Sequence, residues 1–260
     1  MYRIGALLIC AALFVPFSLH ADTVRVGGYR FPPFVIVERD GHSGLTLEVI
    51  EALNSIQDRY EFEFFHTSSK RRYQDHDEGF YDVILFEDMR WEWQDRPVSG
   101  TRIIARDEEV LVAYTRRAES DAFFQKLEQR RLVGMLGYHY RFADYRADED
   151  FLDTEFNILL SNSLERNLKL IMVDRPSVAE VAIVPRSFLR RYFSRHPEAR
   201  EMLEVSDTLG QFNKLRGLVT DSSPVSVKEL DQLLGQLKAS GRLPELRSRY
   251  NLPPLRQGNP

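Results

Sequence analysis

Arg90 carries the most specific chemistry in this sequence. A guanidinium offers a fixed fork of N–H donors that meets a carboxylate at two points, which a lysine cannot copy. Asp88 and Glu92 stand close enough along the chain to occupy that fork themselves. Rings gather in three segments: Tyr29 and Phe31, then Phe86, Trp91 and Trp93, then Tyr138, His139 and Tyr140. Flat rings can sandwich an apolar or cyclic solute, whereas Phe34, Phe64, Phe65 and Phe86 also fit an ordinary core. Phe31 and Tyr138 stand apart, each in a loop that follows a strand pattern. The Gly137-Tyr138-His139-Tyr140 loop is expected to lead into a helix, whose positive end would receive an anionic oxygen. His139 as a general base lacks any nearby nucleophile or acid pattern. His20, His42, His66, His76 and His196 show no metal-ligand spacing, so no metal and no cofactor is expected.

Positioning these side chains requires a sheet. Val24 and Val26 alternate with Arg25 and run into Gly27-Gly28 and the aromatic loop Tyr29 to Phe34. Leu45, Leu47, Val49, Ile50 and Leu53 recur at helical spacing. Strands follow at Tyr60 to Phe65 and Tyr81 to Phe86, with a short helix starting at Lys70 to Tyr73 between them. Such alternation predicts a mainly parallel sheet with helices on its faces and ligands at the carboxyl ends of its strands. The pattern restarts after a strand at Glu109 to Tyr114: a helix around Phe123 to Leu127, strands at Leu132 to Leu136 and Phe156 to Leu159, a helix from Leu164 to Val173, a strand at Val181 to Val184 and a helix from Ser187 to Phe193. Leu215 to Val219 reads as a return strand, and Ser226 to Tyr250 as a helix pair closed by Gly241.

Residues 1–21 read as a secretory signal peptide, because the apolar run from Ile4 to Phe17 is too short for a bilayer-spanning helix and Ala21 suits a cleavage site. Cys10, the only cysteine, lies inside that run, so the mature chain has no thiol chemistry and no disulfide. At a net charge of -4 and with no basic run long enough to track phosphates, no nucleic-acid partner is expected, and the clusters Lys70-Arg71-Arg72 and Arg116-Arg117 read as solvated faces.

Taken together, Val24-Arg25-Val26-Gly27 with Pro33-Phe34, Gly41, Gly44 and Glu48, then Gly79 with Asp82, Val133-Gly134 with Gly137, and the closing Ser226 to Leu237, Ser240-Gly241-Arg242-Leu243 and Tyr250-Asn251-Leu252 resemble the family 3 extracellular solute-binding proteins. That resemblance implies an α/β, two-lobed periplasmic binding protein type II fold. Each lobe is then a mixed, mainly parallel sheet flanked by helices, and two hinge strands cross between them near Arg106 to Tyr114 and Ser206 to Leu218. It implies lobe 1 over 22–108, lobe 2 over 109–214, and lobe 1 completion with the C-terminal helices over 215–260. Arg90 falls at the position of the family's ligand arginine. Departures are equally plain: the family's amino-acid receptors carry small hydroxyl residues where this chain has Ile84-Leu85-Phe86-Glu87-Asp88, and an acid for the ligand ammonium where Val184 runs into Pro185-Arg186. Thr46 replaces an acid of the first helix.

The expected function is capture of a small, acid-bearing, partly apolar or aromatic solute between the lobes of a monomeric periplasmic protein, for delivery to the membrane permease of an ABC importer. Expected ligand contacts are Arg90, Phe31, Tyr29, Phe86, Trp91, Tyr138, His139, Tyr140 and Arg186. A non-enzyme is expected. The alternatives are a cleft enzyme of the cyclic-acid dehydratase type and a ligand-sensing module for a membrane receptor.

Overall fold

The computed structural model describes residues 21–118, 120–207 and 211–255. Apart from Ala21, the expected leader lies outside them. The first half runs β1 (Asp22–Gly28), β2 (Ile36–Glu38), β3 (Gly41–Ser43), α1 (Leu45–Asn54), β4 (Tyr60–His66), α2 (Arg72–Asp77), β5 (Val83–Glu87), β6 (Val98–Gly100) and β7 (Ala105–Tyr114). There follow β8 (Leu132–Met135), α3 (Glu149–Phe156), β9 (Ile158–Ser161), α4 (Leu164–Met172), β10 (Val181–Pro185), α5 (Arg186–Arg195), α6 (Ala199–Met202) and β11 (Leu203–Val205). The chain returns through β12 (Gln211–Thr220) to α7 (Val227–Ala239) and α8 (Arg242–Arg249).

Strand order is β4-β1-β5-β12-β7-β10-β8-β9, and two long antiparallel strands join two halves that are otherwise largely parallel. β12 pairs with β7 through its first half, Gln211 to Leu215, and with β5 and β6 through its second. In turn, β7 continues past β12 to pair with β10 and β11. One lobe is therefore built on β1, β4 and β5, the other on β8, β9 and β10, and β7 and β12 are the only two strands of the described residues that cross.

Local chemistry accounts for most of the elements. Apolar residues of α1 at helical spacing, Leu45, Val49, Ile50 and Leu53, are all buried against the sheet. Ser226 and Glu229 cap α7 reciprocally, each side chain accepting the other's backbone N–H, at 3.2 and 3.1 Å. Two expectations fail. The helix around Phe123 to Leu127 is a pair of short 3-10 turns, Asp121–Phe124 and Leu127–Gln129. The helix after the Gly137 loop is a three-residue 3-10 turn, Arg141–Ala143, and a true helix begins only at Glu149. No helix end therefore stands ready for an anion at Tyr138.

The end of β5 is irregular. Between Ile84 and Glu87 three steps on β5 face two on β12, from Leu218 to Arg216, so β5 carries one extra residue. Phe86 sits there at φ 64, a left-handed backbone that costs a bulky residue on the order of 1–3 kcal/mol. Its ring packs 4.7 Å from that of Phe34, and its side chain is fully buried. The bulge aims Glu87 into the junction of the lobes.

Candidate functional site

At the carboxyl ends of β1, β5 and β8 the two lobes face each other across rings. Phe31 meets Tyr138 edge to face, centroids 5.5 Å apart, and Trp91 stacks on His139 at 6.2 Å. Polar bonds close the seam: Tyr138 Oη donates to the Arg30 carbonyl at 3.3 Å and Ser69 Oγ to the Leu136 carbonyl at 2.8 Å. Lys70 pairs with Glu149 across the same seam. Gly137 makes this approach possible. Its φ is +73, and a Cβ there would lie 2.8 Å from Ser69 Oγ.

Inside the seam lies a cavity of about 10 Å³, room for about one water, lined by Tyr29, Phe31, Arg72, Trp91, Glu109, Gly137, Tyr138 and His139. Five of the expected contacts thus converge: Tyr29, Phe31, Trp91, Tyr138 and His139. The others lie elsewhere. Phe86 is in the core of the first lobe, and Tyr140 is fully buried beneath β8, where its hydroxyl accepts the Met135 N–H at 2.7 Å. Arg186 pairs with Glu108 through Nε at 2.5 Å. Arg90 gives Nε and Nη2 to Asp88, at 2.9 and 2.6 Å, so its fork is held by its own neighbour.

The guanidinium on the cavity wall is Arg72. Far from lying on a solvated face, it is fully buried. α2 turns Arg72, Asp75 and His76 inward at i, i+3 and i+4 spacing, and the Arg72 carbonyl accepts the Tyr81 hydroxyl at 2.5 Å. The Arg72 cation lies over the rings of Tyr29 and Tyr73, at 4.7 and 4.4 Å, and Nε stands 3.3 Å from Glu87 Oε2. Glu87 also accepts Tyr29 Oη at 2.8 Å and Trp93 Nε1 at 2.6 Å. Burial pushes the Glu87 carboxyl above its ordinary range, and Arg72, Trp93 and Tyr29 pull against it.

His139 joins this cluster from the opposite lobe. Arg72 Nη2 lies 3.3 Å from His139 Nδ1, and Tyr73 Oη lies 3.2 Å from Nε2. Since arginine has no acceptor, Nδ1 holds the lone pair and Nε2 the proton. Burial lowers the pKa to about 4, which keeps the ring neutral, although Glu92 approaches to 3.7 Å.

Glu109, on the hinge strand β7, is the remaining polar group. Its Oε2 has no hydrogen-bond partner, and burial, reinforced by Asp107, raises its pKa to about 8. Trp91 Nε1 is likewise buried without a hydrogen-bond acceptor, whereas Arg72 Nε is held by the Glu87 carboxylate as an ion pair. The residues lining one cavity therefore supply one unused N–H donor, one unused carboxyl oxygen and an ion-paired guanidinium. A buried polar group left unpaired costs on the order of 1–3 kcal/mol, so each unused atom is a site for a ligand atom. The sequence concealed Arg72 inside a basic run and Glu109 among acidic neighbours. The alternation of β7, which buries Asp107 and Glu109 and leaves Arg106 and Glu108 half-buried, is the signal that could have found the latter.

No family model matches the chain, and no curated protein matches it. Solved structures do. A putative binding component of an ABC transporter from Wolinella succinogenes, complexed with lysine, superposes with TM-score 0.69 at 15% identity, over 87% of this chain and 94% of that one. A histidine kinase sensor domain with similarity to periplasmic binding proteins gives 0.68 at 16%, over 88% and 96%. An ancestral amino acid-binding protein, precursor of cyclohexadienyl dehydratase, gives 0.66 at 15%, covering 88% of this chain. The chain has the type II periplasmic binding protein fold: two α/β lobes, two crossing strands and a crevice between them. No helix among the described residues is long and apolar enough to cross a membrane.

Proposed function

We propose that this chain is an exported solute-binding protein that closes on a small solute in the aromatic cavity and delivers it to the permease of an ABC importer. One observation carries the reading: Trp91 Nε1 and Glu109 Oε2 are unused, and Arg72 is fully buried, among residues that line a single ring-walled cavity at the meeting of two lobes. The Trp91 N–H and the Arg72 cation on the first lobe suit a carboxyl or carbonyl oxygen, and the rings suit a flat or apolar body. A volume of about 10 Å³ admits no such body, so the lobes must part about β7 and β12 and reclose with rings on either side of the guest. Reclosure binds because only the closed form offers both walls. The neighbour bound to lysine supports the class of solute, while the missing hydroxyl and acid positions argue for an organic acid over a plain amino acid. The test is native mass spectrometry of the purified chain, followed by titration with phenylalanine, 3-phenylpropionate and cyclohexanecarboxylate, read by melting temperature. A saturable rise that Trp91→Phe weakens about tenfold supports the reading. No rise with any of the three and no retained small molecule would overturn it.

Glu109 favours one second reading. A buried carboxyl that is protonated near neutral pH can hand a proton to a departing hydroxyl, the task of a cyclic-acid dehydratase. Turnover of a cyclic hydroxy acid, abolished in Glu109→Gln, would replace capture by catalysis. One-to-one retention of the same compound would exclude it.

A further inference from the structure

A second opening between the lobes lies apart from the aromatic cavity. It is a groove of about 220 Å³, with Arg30, Pro32, Ile36 and Val37 on the first lobe and α4 and α5 on the second. This is many times the room of the aromatic cavity and reaches the scale of a small solute. Its second wall is a stripe of rings along α5: Phe188 stacks on Tyr192 at 6.1 Å, and Tyr192 lies 4.6 Å from His196. Their i, i+4, i+8 spacing sets all three on one face.

Three guanidinium groups line the same groove, those of Arg30, Arg191 and Arg195. Among the described residues none of the three has a carboxylate within 4.0 Å, although Arg72, Arg90, Arg186 and Arg249 are all paired. The acid on the groove's own lining, Glu165, already holds Lys169 at 2.6 Å, and Glu198 lies 3.4 Å from His196. Arginines that line one groove with no acid upon them leave charge-assisted hydrogen bonds for an anion to make.

We infer that this groove is a second solute site, specific for a small carboxylate with a flat apolar body, whose acid group meets Arg30, Arg191 and Arg195 and whose body lies between Val37 and the Tyr192 ring. Because its walls belong to different lobes, its occupant favours the closed form. The site is independent of the aromatic cavity, which shares none of its residues.

The experiment titrates the full chain with 3-phenylpropionate and with 3-phenylpropanol, its uncharged analogue, by calorimetry. Parallel titrations use Arg191→Gln/Arg195→Gln, whose substitutions lie at the rim, and Trp91→Phe in the cavity. Loss of charge-assisted bonds worth about 1.5–3 kcal/mol is a loss of at least about tenfold in affinity. The expected pattern is one binding event weakened at least about tenfold in the arginine variant, unchanged within about twofold in Trp91→Phe, and absent for the alcohol. Binding within about twofold of the parent in the arginine variant overturns the site. So do equal binding of the alcohol, loss in both variants, and no groove event in the parent.

Discussion

Asp88 accepts Nε and Nη2 of Arg90 at 2.9 and 2.6 Å, while the third arm of that guanidinium, Nη1, reaches the Tyr145 hydroxyl of the other lobe at 2.5 Å. Nη2 also donates to the Phe212 carbonyl on the hinge strand β12 at 2.7 Å. Arg90 is thus tied to a neighbour, a hinge and the opposite lobe at once.

The first prediction separates those ties. Burial works to raise the pKa of Asp88, yet Arg90 and the Lys214 N–H hold it below its ordinary value. Arg90→Ala leaves that buried carboxylate short of partners, which should cost about 2 kcal/mol, or roughly 4–8 °C in melting temperature for a chain of this size. Tyr145→Phe removes only the contact across the lobes. It should leave the melting temperature within about 2 °C and lower the closed population about fivefold, read by small-angle scattering. An Arg90→Ala protein that melts like the parent would return Arg90 to the role of a free ligand fork.

Gly137 offers a steric test of closure. An alanine methyl would lie 2.8 Å from Ser69 Oγ and 3.0 Å from its Cβ, and Ser69 belongs to the other lobe. Parting of the lobes relieves that clash without disturbing either core. Gly137→Ala should therefore increase the radius of gyration and weaken solute binding more than tenfold, with a stability loss near 1 kcal/mol for the left-handed backbone. An unchanged radius of gyration would mean that Ser69 yields and the lobes do not.

Strand positions were legible because they rest on apolar alternation, which burial enforces: Val24 and Val26 lie inside and Arg25 lies half out; the crossing pair came from the family resemblance alone. Half of the site was legible for a similar reason, since Phe31 and Tyr138 follow strands at the ligand end of a sheet. Its charged half was not. Arg72 is buried by a helix whose inward face is polar, Arg72, Asp75 and His76, so no hydrophobic period marks it. Glu87 follows the extra residue at the end of β5, and a bulge is invisible to a two-residue period. Arg90 shows the converse: a chemically apt side chain can be engaged by the acid two residues before it.

Titration of Glu109 gives stability a definite pH dependence. Its folded pKa, raised by burial to about 8, lies above the unfolded value near 4.5, so the folded state holds the extra proton between these limits. Stability from this group is full below about pH 4.5 and is lost as pH rises through about 8. Asp107, raised by burial to about 6, acts in the same direction at lower pH. The melting temperature should fall from pH 5 to pH 8, and Glu109→Gln, which needs no proton, should flatten the upper part of that decline. A parallel decline in parent and variant would show that Glu109 ionises freely in the fold.

The buried pair Arg72 and Glu87 supports a last prediction, in which the two single changes differ from their sum. Neither side chain reaches solvent, and Glu87 further holds Tyr29 and Trp93. Arg72→Met strands a carboxyl whose pKa burial already raises, and losing one partner of a buried pair costs about 3–5 kcal/mol. Glu87→Gln keeps the hydrogen bonds from Tyr29 and Trp93 but leaves the Arg72 charge uncompensated. Together the two changes remove both charges, so the double variant should recover at least about 2 kcal/mol relative to additivity, measured by urea unfolding with unchanged m-values. Solute affinity should stay low in the double variant, because the cavity then lacks its guanidinium whatever the stability. Additive losses would show that the two groups do not sense each other across 3.3 Å, and restored affinity would remove Arg72 from recognition.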